Sequence, residues 1–447
     1  MDKYAYIETF GCQMNVQDSE TMAQLLADVD YMETKEISRA DVIVVNTCSV
    51  RKKAEEKAYS FLGRLKKLKK KKPCLVIAMA GCVAQQERGR LFKRIPYLDI
   101  VLGPQNLVRL PELIDNAGKN GRGVLATELS PSFNIPFILP EMGSNLSHSR
   151  FVTIMQGCNN FCTYCIVPHT RGREISRSVD DILNEISQLA QNGVKEVTLL
   201  GQNVNSYGKD RKSGNNSSNV SKTGFPGLLR SVAKVPGLER IRFTTSHPKD
   251  LSEDLMRCFE ELENLCPHFH LPVQAGSNRI LKQMNRGYTI ETYLEKVDKL
   301  RRHRPDIAIT TDIIIGFPGE TRQDFEATMD LINKVRYHGA FSFKYSNRPG
   351  VKASGFKDQV EEREKSARLA ELQARQKEIT MERNREYEGR RMAVMIENKT
   401  ISDRGQWRGR TETNHVVNIK AIGPFHPGQI IRARITDACH HSLRGKI

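Results

Sequence analysis

The chain has 447 residues, ten cysteines and a formal net charge of +17 at pH 7. That length accommodates two or three domains, and so large a positive excess favours a polyanionic partner such as nucleic acid. The cysteines are too sparse for a disulfide framework, no apolar run approaches membrane-spanning length, and MDKYAYIETF lacks a secretory apolar core. A cytoplasmic protein is expected, in a reducing compartment where clustered cysteines hold metal rather than disulfides.

Residues 1–126 alternate strand-like and helix-like segments, the mark of an α/β sheet. YAYIETFGC (4–12), DVIVVNTCSV (41–50), CLVIAMAGC (74–82) and LDIVLGP (98–104) read as strands. Helices are predicted around 18–29, over the basic stretch 51–71, over QQERGRLFKRI and over NLVRLPELIDNA. A flavodoxin-like open sheet is the natural architecture. Cys12, Cys48 and Cys82 each fall at the C-terminal end of a strand, the ligand edge of such a sheet. One cysteine there is ordinarily a small buried residue. Three at one level can converge on an iron–sulfur cluster with three ligands and an open iron. Cys74 starts its strand at the opposite edge and is excluded as a ligand. The run KKLKKKK (66–72) reads as a solvated helix end, with phosphate contact as the alternative.

Residues 127–149 carry three prolines among small polar residues and read as a linker. From 150 to 375, six strand-like runs recur, each followed by a helix pattern: 151–158, 196–203, 240–248, 268–274, 307–320 and 340–346. Six parallel βα units suggest a partial barrel rather than the closed eightfold one, with its chemistry where the strands end. After the first strand comes GCNNFCTYCIVPHTRGREISR (157–177), with Cys158, Cys162 and Cys165 inside eight residues. A 4Fe-4S cluster normally takes four cysteines, so three leave one iron open to an exogenous ligand. A zinc site completed by His169 is the alternative, although common zinc arrangements pair their ligands as C-x2-C.

The other strand ends are Gly201-Gln202-Asn203, Ser246-His247-Pro248, Gln274-Ala275-Gly276-Ser277, GFPGE (316–320) and SNRPG (346–350). Singly each is an ordinary strand-to-helix turn; as a ring on one face they describe a pocket. Gly316 and Gly319 would allow close backbone approach to a ligand. The stretch 206–224 reads as a disordered insertion, with a substrate-gating loop as the alternative. His247, His268 and His270 are taken as packing or hydrogen-bonding groups, and Cys258 and Cys266 as structural. Residues 376–447 shorten to strands and suggest a small five-stranded all-β barrel, of a kind that binds single-stranded nucleic acid. Trp407, Arg408 and Arg410, together with Arg434, are the candidate RNA contacts, with Trp407 as a core filler in the alternative reading. Cys439 is isolated.

The cysteine loop resembles the CxxxCxxC signature of radical S-adenosylmethionine (SAM) enzymes. That resemblance implies a SAM-binding cluster on Cys158, Cys162 and Cys165, with Tyr164 beside the adenine and Gly201-Gln202-Asn203 near the SAM amino group. FGCQMN, VVNTCSVR, GCVAQ, LLGQNVNSYG, FHLPVQAGSNRILKQMNRGYT, TDIIIGFPGE and GRTETN extend the resemblance over nearly the whole chain. It is to methylthiotransferases of the type that acts on isopentenyl-adenosine in tRNA, whose C-terminal RNA-binding domain is called TRAM. The family implies a 5′-deoxyadenosyl radical that abstracts hydrogen from C2 of adenosine 37, in the anticodon stem-loop. It also implies sulfur from a second 4Fe-4S cluster on Cys12, Cys48 and Cys82, and a methyl group from a second SAM. An electron donor such as a flavodoxin or ferredoxin, a sulfur source, a monomeric state and no membrane association complete the expectation. Relatives acting on threonylcarbamoyl-adenosine in tRNA or on a ribosomal-protein aspartate, and a non-catalytic iron–sulfur RNA-binding protein, are the alternatives.

Overall fold

The computed structural model describes all residues except 1, 51, 121–122, 131–134, 137–146, 210–223, 400–405 and 421–422. Most of the linker and most of the 206–224 stretch therefore lie outside the described residues. The chain forms two compact units. One comprises residues 1–144, 153–159 and 165–177; the other comprises 145–152, 160–164 and 178–447.

In the first unit, β1 (Lys3–Phe10), α1 (Gln13–Ala27), β2 (Tyr31–Glu33), β3 (Val42–Thr47), α2 (Lys52–Lys71) and β4 (Val76–Gly81) follow in sequence. Then come α3 (Cys82–Glu87), α4 (Arg90–Arg94), β5 (Ile100–Leu102), α5 (Leu110–Asn120) and β6 (Val124–Ala126). The strands form one parallel sheet in the order β2-β1-β3-β4-β5-β6, the flavodoxin-like order extended by one strand. β3 is buried at every residue, as a central strand covered on both faces must be. Its side chains alternate between two cores. Ile43 and Val45 meet Phe61, Leu62 and Leu65 of α2, while Val42 and Val44 meet Met22 and Leu26 of α1 and Leu110 of α5. β2 and β6, only three residues each, carry too little periodicity to be read from sequence. The lysine run is less free than expected, since Lys69 pairs with Asp99 at 2.8 Å and Lys72 with Asp41 at 2.6 Å.

β7 (Ser149–Thr153) opens the partial barrel; β8 (Met155–Gln156), α6 (Val167–Thr170) and β9 (Ile175–Ser176) belong to the first unit. The second unit continues with α7 (Val179–Gln191), β10 (Glu196–Leu200), α8 (Gly224–Val232), β11 (Arg240–Thr244), α9 (Glu253–Glu261) and β12 (His268–His270). It goes on with α10 (Asn278–Gln283), α11 (Ile290–His303), β13 (Ala308–Ile315), α12 (Arg322–Val335), β14 (Gly339–Lys344) and α13 (Glu362–Arg385). The barrel strands run β7-β10-β11 and β12-β13-β14, and a parallel bridge from Ile241 to Leu265 joins the halves. Ser178, Ser252, Ser277, Thr289 and Thr321 cap α7, α9, α10, α11 and α12 by accepting a backbone N–H, each cap contributing about 1 kcal/mol. His268 and His270 both bond Thr310, and Cys258 and Cys266 are buried.

Last come β15 (Arg391–Lys399), β16 (Gln406–Thr411), β17 (Val416–Lys420), β18 (Ile430–Ala438) and β19 (Leu443–Lys446), closed in the order β15-β16-β17-β19-β18. Two buried arginines of β11 hold this small barrel by its backbone. Arg240 donates to the carbonyls of Arg410 and Ala393, and Arg242 to those of Thr411 and Glu412.

Candidate active site

Adjacent strands β1, β3 and β4 end on one rung, where Phe10 pairs with Thr47 and Thr47 with Gly81. Cys48 and Cys82 each stand one residue beyond that rung and Cys12 two, so the topology delivers all three to one edge. Gly81 makes the last of these turns possible. Its φ is +91°, and a Cβ there would lie 2.4 Å from Asn46 Oδ1 and 2.5 Å from the Thr47 carbonyl. Behind the thiols, Asn15 and Asn46 lock α1 to β3. Asn46 Nδ2 donates to the Asn15 carbonyl at 2.8 Å and to Ser19 Oγ at 2.9 Å, and Asn15 Nδ2 donates to Asn46 Oδ1 at 3.0 Å.

The three thiols differ in electrostatic setting. A hydrogen bond from Cys48 pulls the Cys12 thiol down to about 6 against its burial, with further help from the Arg171 charge. Cys48, as donor to Cys12 and buried beside it, is pushed up, and burial also raises Cys82. Arg171, in the same unit, is buried and pairs with Asp18 (Nη2 to Oδ2, 2.5 Å). Burial works against its charge, but Asp18 and Cys82 outweigh it and hold the guanidinium protonated. Removing one partner of such a pair costs about 3–5 kcal/mol. Three soft sulfur donors with a fixed cation and no fourth cysteine fit an iron–sulfur group with one open iron. Arg171 and Asp18 were not foreseen; a basic run in a loop gives no hint of a partner 153 residues away.

The second triplet follows β8. In the first unit, Gly157 has φ +82°, and a Cβ on it would lie 2.0 Å from the Arg173 carbonyl oxygen, so only glycine fits ahead of Cys158. The Cys158 N–H donates to the Gly172 carbonyl at 3.3 Å. In the second unit, Cys162 is buried, and residues 160–164 are stitched to the 283–285 turn. Thr163 Oγ1 donates to the Gln283 carbonyl at 2.9 Å, and Asn285 Nδ2 to the carbonyls of Asn160 and Phe161 at 3.3 and 3.1 Å. Tyr164 packs against the group containing Met284, Phe317 and Tyr345. Among the described residues no three His, Cys, Asp or Glu side chains are grouped as ligands of a single metal ion.

At the barrel strand ends, Asn203 is 1% exposed. Its Nδ2 donates to Asp250 Oδ2 at 2.8 Å while its buried Oδ1 has no partner among the described residues, leaving an acceptor available to an ammonium group. The Gly201 N–H is spent on the Thr244 carbonyl at 3.2 Å. His247 is buried and pushed down to about 2, by desolvation first and then by Arg286 and Lys249. Its Nδ1 accepts the Lys249 N–H at 3.2 Å, so it works as a neutral hydrogen-bonding group.

Two expectations need correction. The space beside Gly316 is filled by the stem of Lys365, which a Cβ would meet at 2.3 Å, and the Gly316 N–H donates to Glu320 at 2.9 Å. Gly319 donates its N–H to the Asp358 carbonyl at 2.6 Å. Both glycines, with φ of +71° and +80°, serve the turn, and Gly316 also serves the packing of Lys365. Trp407 is 6% exposed and sits in the small barrel's core against Phe425, so its face is not offered to a base. Arg408 and Arg410 both pair with Glu397, at 3.2 and 2.7 Å, which blunts them as phosphate contacts.

The exposed basic surface of the small barrel lies elsewhere. Arg391 pairs in register with Arg434, Arg434 with Lys446, and Lys446 with Lys420. All four point outwards, and Arg432 lies two residues along β18 on the same face. None of the five forms an ion pair with a carboxylate among the described residues. A rung of like charges across four strands is unfavourable alone and is suited to a polyanion.

Residues 4–103 match the Uncharacterized protein family UPF0004, residues 152–332 the Radical SAM superfamily and residues 385–447 the TRAM domain. The chain is 52% identical over 445 residues to a tRNA-2-methylthio-N(6)-dimethylallyladenosine synthase of Desulfotalea psychrophila, covering 99% of this chain and 98% of the relative. It is 50% identical to the protein of the same name from Geotalea uraniireducens, covering 100% and 99%. Among solved structures it is similar to the radical S-adenosylmethionine methyltransferase TsrM from Kitasatospora setae, with a TM-score of 0.55 and 13% identity over 79% of this chain and 77% of that one. That likeness concerns the fold alone.

Proposed function

Because this chain belongs to the tRNA-2-methylthio-N(6)-dimethylallyladenosine synthases, a family of radical SAM transferases, we propose that it adds a methylthio group to C2 of isopentenyl-modified adenosine 37, beside the tRNA anticodon. The observation that carries the reading is the convergence of Cys12, Cys48 and Cys82 at one sheet edge, in a chain that holds a second cysteine triplet in its radical SAM loop. Two 4Fe-4S clusters would be held, one by each triplet. When bound, they would supply reductive cleavage of SAM for hydrogen abstraction at C2, and the sulfur that replaces the hydrogen.

The protein's own residues hold and orient. Arg171 sets a fixed positive charge beside Cys12 and Cys82, and Asp18 keeps that guanidinium in place. Asn203 offers its unshared Oδ1 to the SAM ammonium, with Gly201 and Gln202 shaping the same strand end and Tyr164 flanking the adenine. A loop base needs little energy to unstack, which lets a pocket at the strand ends take it. The working divisions are 1–126 for sulfur donation, 127–149 as linker, 150–375 for SAM chemistry and 376–447 for RNA. The enzyme would act as a cytoplasmic monomer, with a flavodoxin or ferredoxin as electron donor and a separate sulfur source. No helix among the described residues is long and apolar enough to cross a membrane.

The basic rung is the proposed tRNA footing. Replacing Arg391, Lys420, Arg434 and Lys446 with Gln is expected to weaken tRNA binding and to flatten its salt dependence by about 0.7–0.9 log units per log salt for each phosphate no longer neutralised. Arg408→Gln with Arg410→Gln should change both much less. Equal binding and slope in the quadruple variant, measured by filter binding across a salt series, would place the RNA elsewhere. The reaction itself is tested anaerobically with SAM, a reductant and tRNA with or without the isopentenyl group. Methylthio product should form only on the isopentenylated tRNA.

A further inference from the structure

Within the second unit, the buried Arg286 reaches Cys162 from the MNRGYT stretch that follows α10. Its Nη1 donates to the Cys162 sulfur and to the Tyr164 hydroxyl, each at 3.5 Å. Its Nη2 donates to the Pro272 carbonyl at 2.7 Å and its Nε to the Tyr288 hydroxyl at 3.1 Å. The Tyr288 hydroxyl donates in turn to the Val273 carbonyl at 2.7 Å, which fixes the direction of that chain. Arg286 is 4% exposed, and among the described residues no hydrogen-bond partner of it is a carboxylate. Arg171, by contrast, is neutralised by Asp18.

A buried guanidinium costs several kcal/mol unless an anion completes it. Of the groups bonded to Arg286, the Cys162 sulfur is the one that becomes an anion on ligating iron. Resting on the proposed function, we propose that Arg286 is a positioning residue for the SAM-binding cluster: it supplies the counter-charge to the Cys162 thiolate and raises the potential at which that cluster accepts an electron. The step is a one-electron transfer from a reduced flavodoxin or ferredoxin, which is oxidised as the cluster is reduced; no bond is made or broken. The reduced cluster carries one more negative charge, so a fixed cation and a hydrogen bond at a ligand sulfur favour it over the oxidised form. The same guanidinium ties Tyr164, the neighbour of Cys165, to the 286–288 turn.

The test is a potentiometric titration of the anaerobically reconstituted full-length protein, followed by electron paramagnetic resonance. The SAM-binding cluster is identified as the signal that changes when SAM is added. Arg286→Gln should lower the midpoint of that signal and leave the other cluster's midpoint unmoved, while Arg286→Lys should recover most of the loss. Should the Gln variant fail to hold iron, Arg286→Lys decides alone, a near-parental midpoint supporting the charge role. An unmoved midpoint in Arg286→Gln, equal displacement of both clusters, or a Lys variant displaced as far as the Gln variant would overturn the proposal. A parent protein that takes up iron in neither triplet would instead overturn the function on which it rests.

Discussion

Replacement of Cys12, Cys48 and Cys82 by alanine is expected to abolish methylthio-adenosine formation while 5′-deoxyadenosine continues to accumulate from SAM. The three thiols share the C-terminal edge of β1, β3 and β4, and two of them, Cys12 and Cys82, feel the Arg171 charge. The edge itself is held by the Asn15, Asn46 and Ser19 hydrogen bonds, none of which a thiol supplies. Alanine is close in size to cysteine, so the substitutions leave small voids rather than a collapsed sheet. One anaerobic reaction, read for both products by mass spectrometry, separates sulfur donation from radical generation. If the three cysteines were only buried packing residues, the variant would be less stable yet still insert sulfur.

The second large effect concerns the other triplet. Changing Cys158, Cys162 and Cys165 to alanine should stop reductive SAM cleavage and lower bound iron from about eight to about four atoms per chain, the content of one 4Fe-4S cluster. The first unit should keep its fold, because its two cores, around Phe61 and Leu62 on one face and Met22 and Leu26 on the other, contain none of these residues. Circular dichroism and iron analysis of the same sample check both halves of the statement. About four irons in the parent protein, or tightly held zinc in their place, would show that one triplet holds no cluster.

Strand-and-helix alternation in the sequence was enough to indicate a flavodoxin-like sheet, the six barrel strands and the small terminal barrel, since their longer elements rest on local periodicity, whereas the short edge strands β2 and β6 escaped it. The cysteine edge was legible for the same reason, because a residue just past a strand in a parallel sheet has one place to be. What escaped was long-range. Arg171 finds Asp18 across 153 positions and Arg286 finds Cys162 across 124, and no spacing rule links them. Lys365 fills the space beside Gly316 from a different helix, so a glycine that invites a ligand in sequence receives a side chain in the fold. Trp407 was a different kind of miss. It shares parity along β16 with the inward Gly409 and Thr411, whereas Arg408 and Arg410 face the other way, so strand alternation alone sends the indole into the core.

Nucleoside mass spectrometry of tRNA from a strain lacking its own isopentenyl-adenosine methylthiotransferase, with and without this chain, tests the central claim most directly. Expression is expected to convert isopentenyl-adenosine into its 2-methylthio form and to leave threonylcarbamoyl-adenosine unchanged. Unmodified isopentenyl-adenosine in the presence of the folded, iron-loaded protein, or a methylthio group on threonylcarbamoyl-adenosine instead, would contradict it.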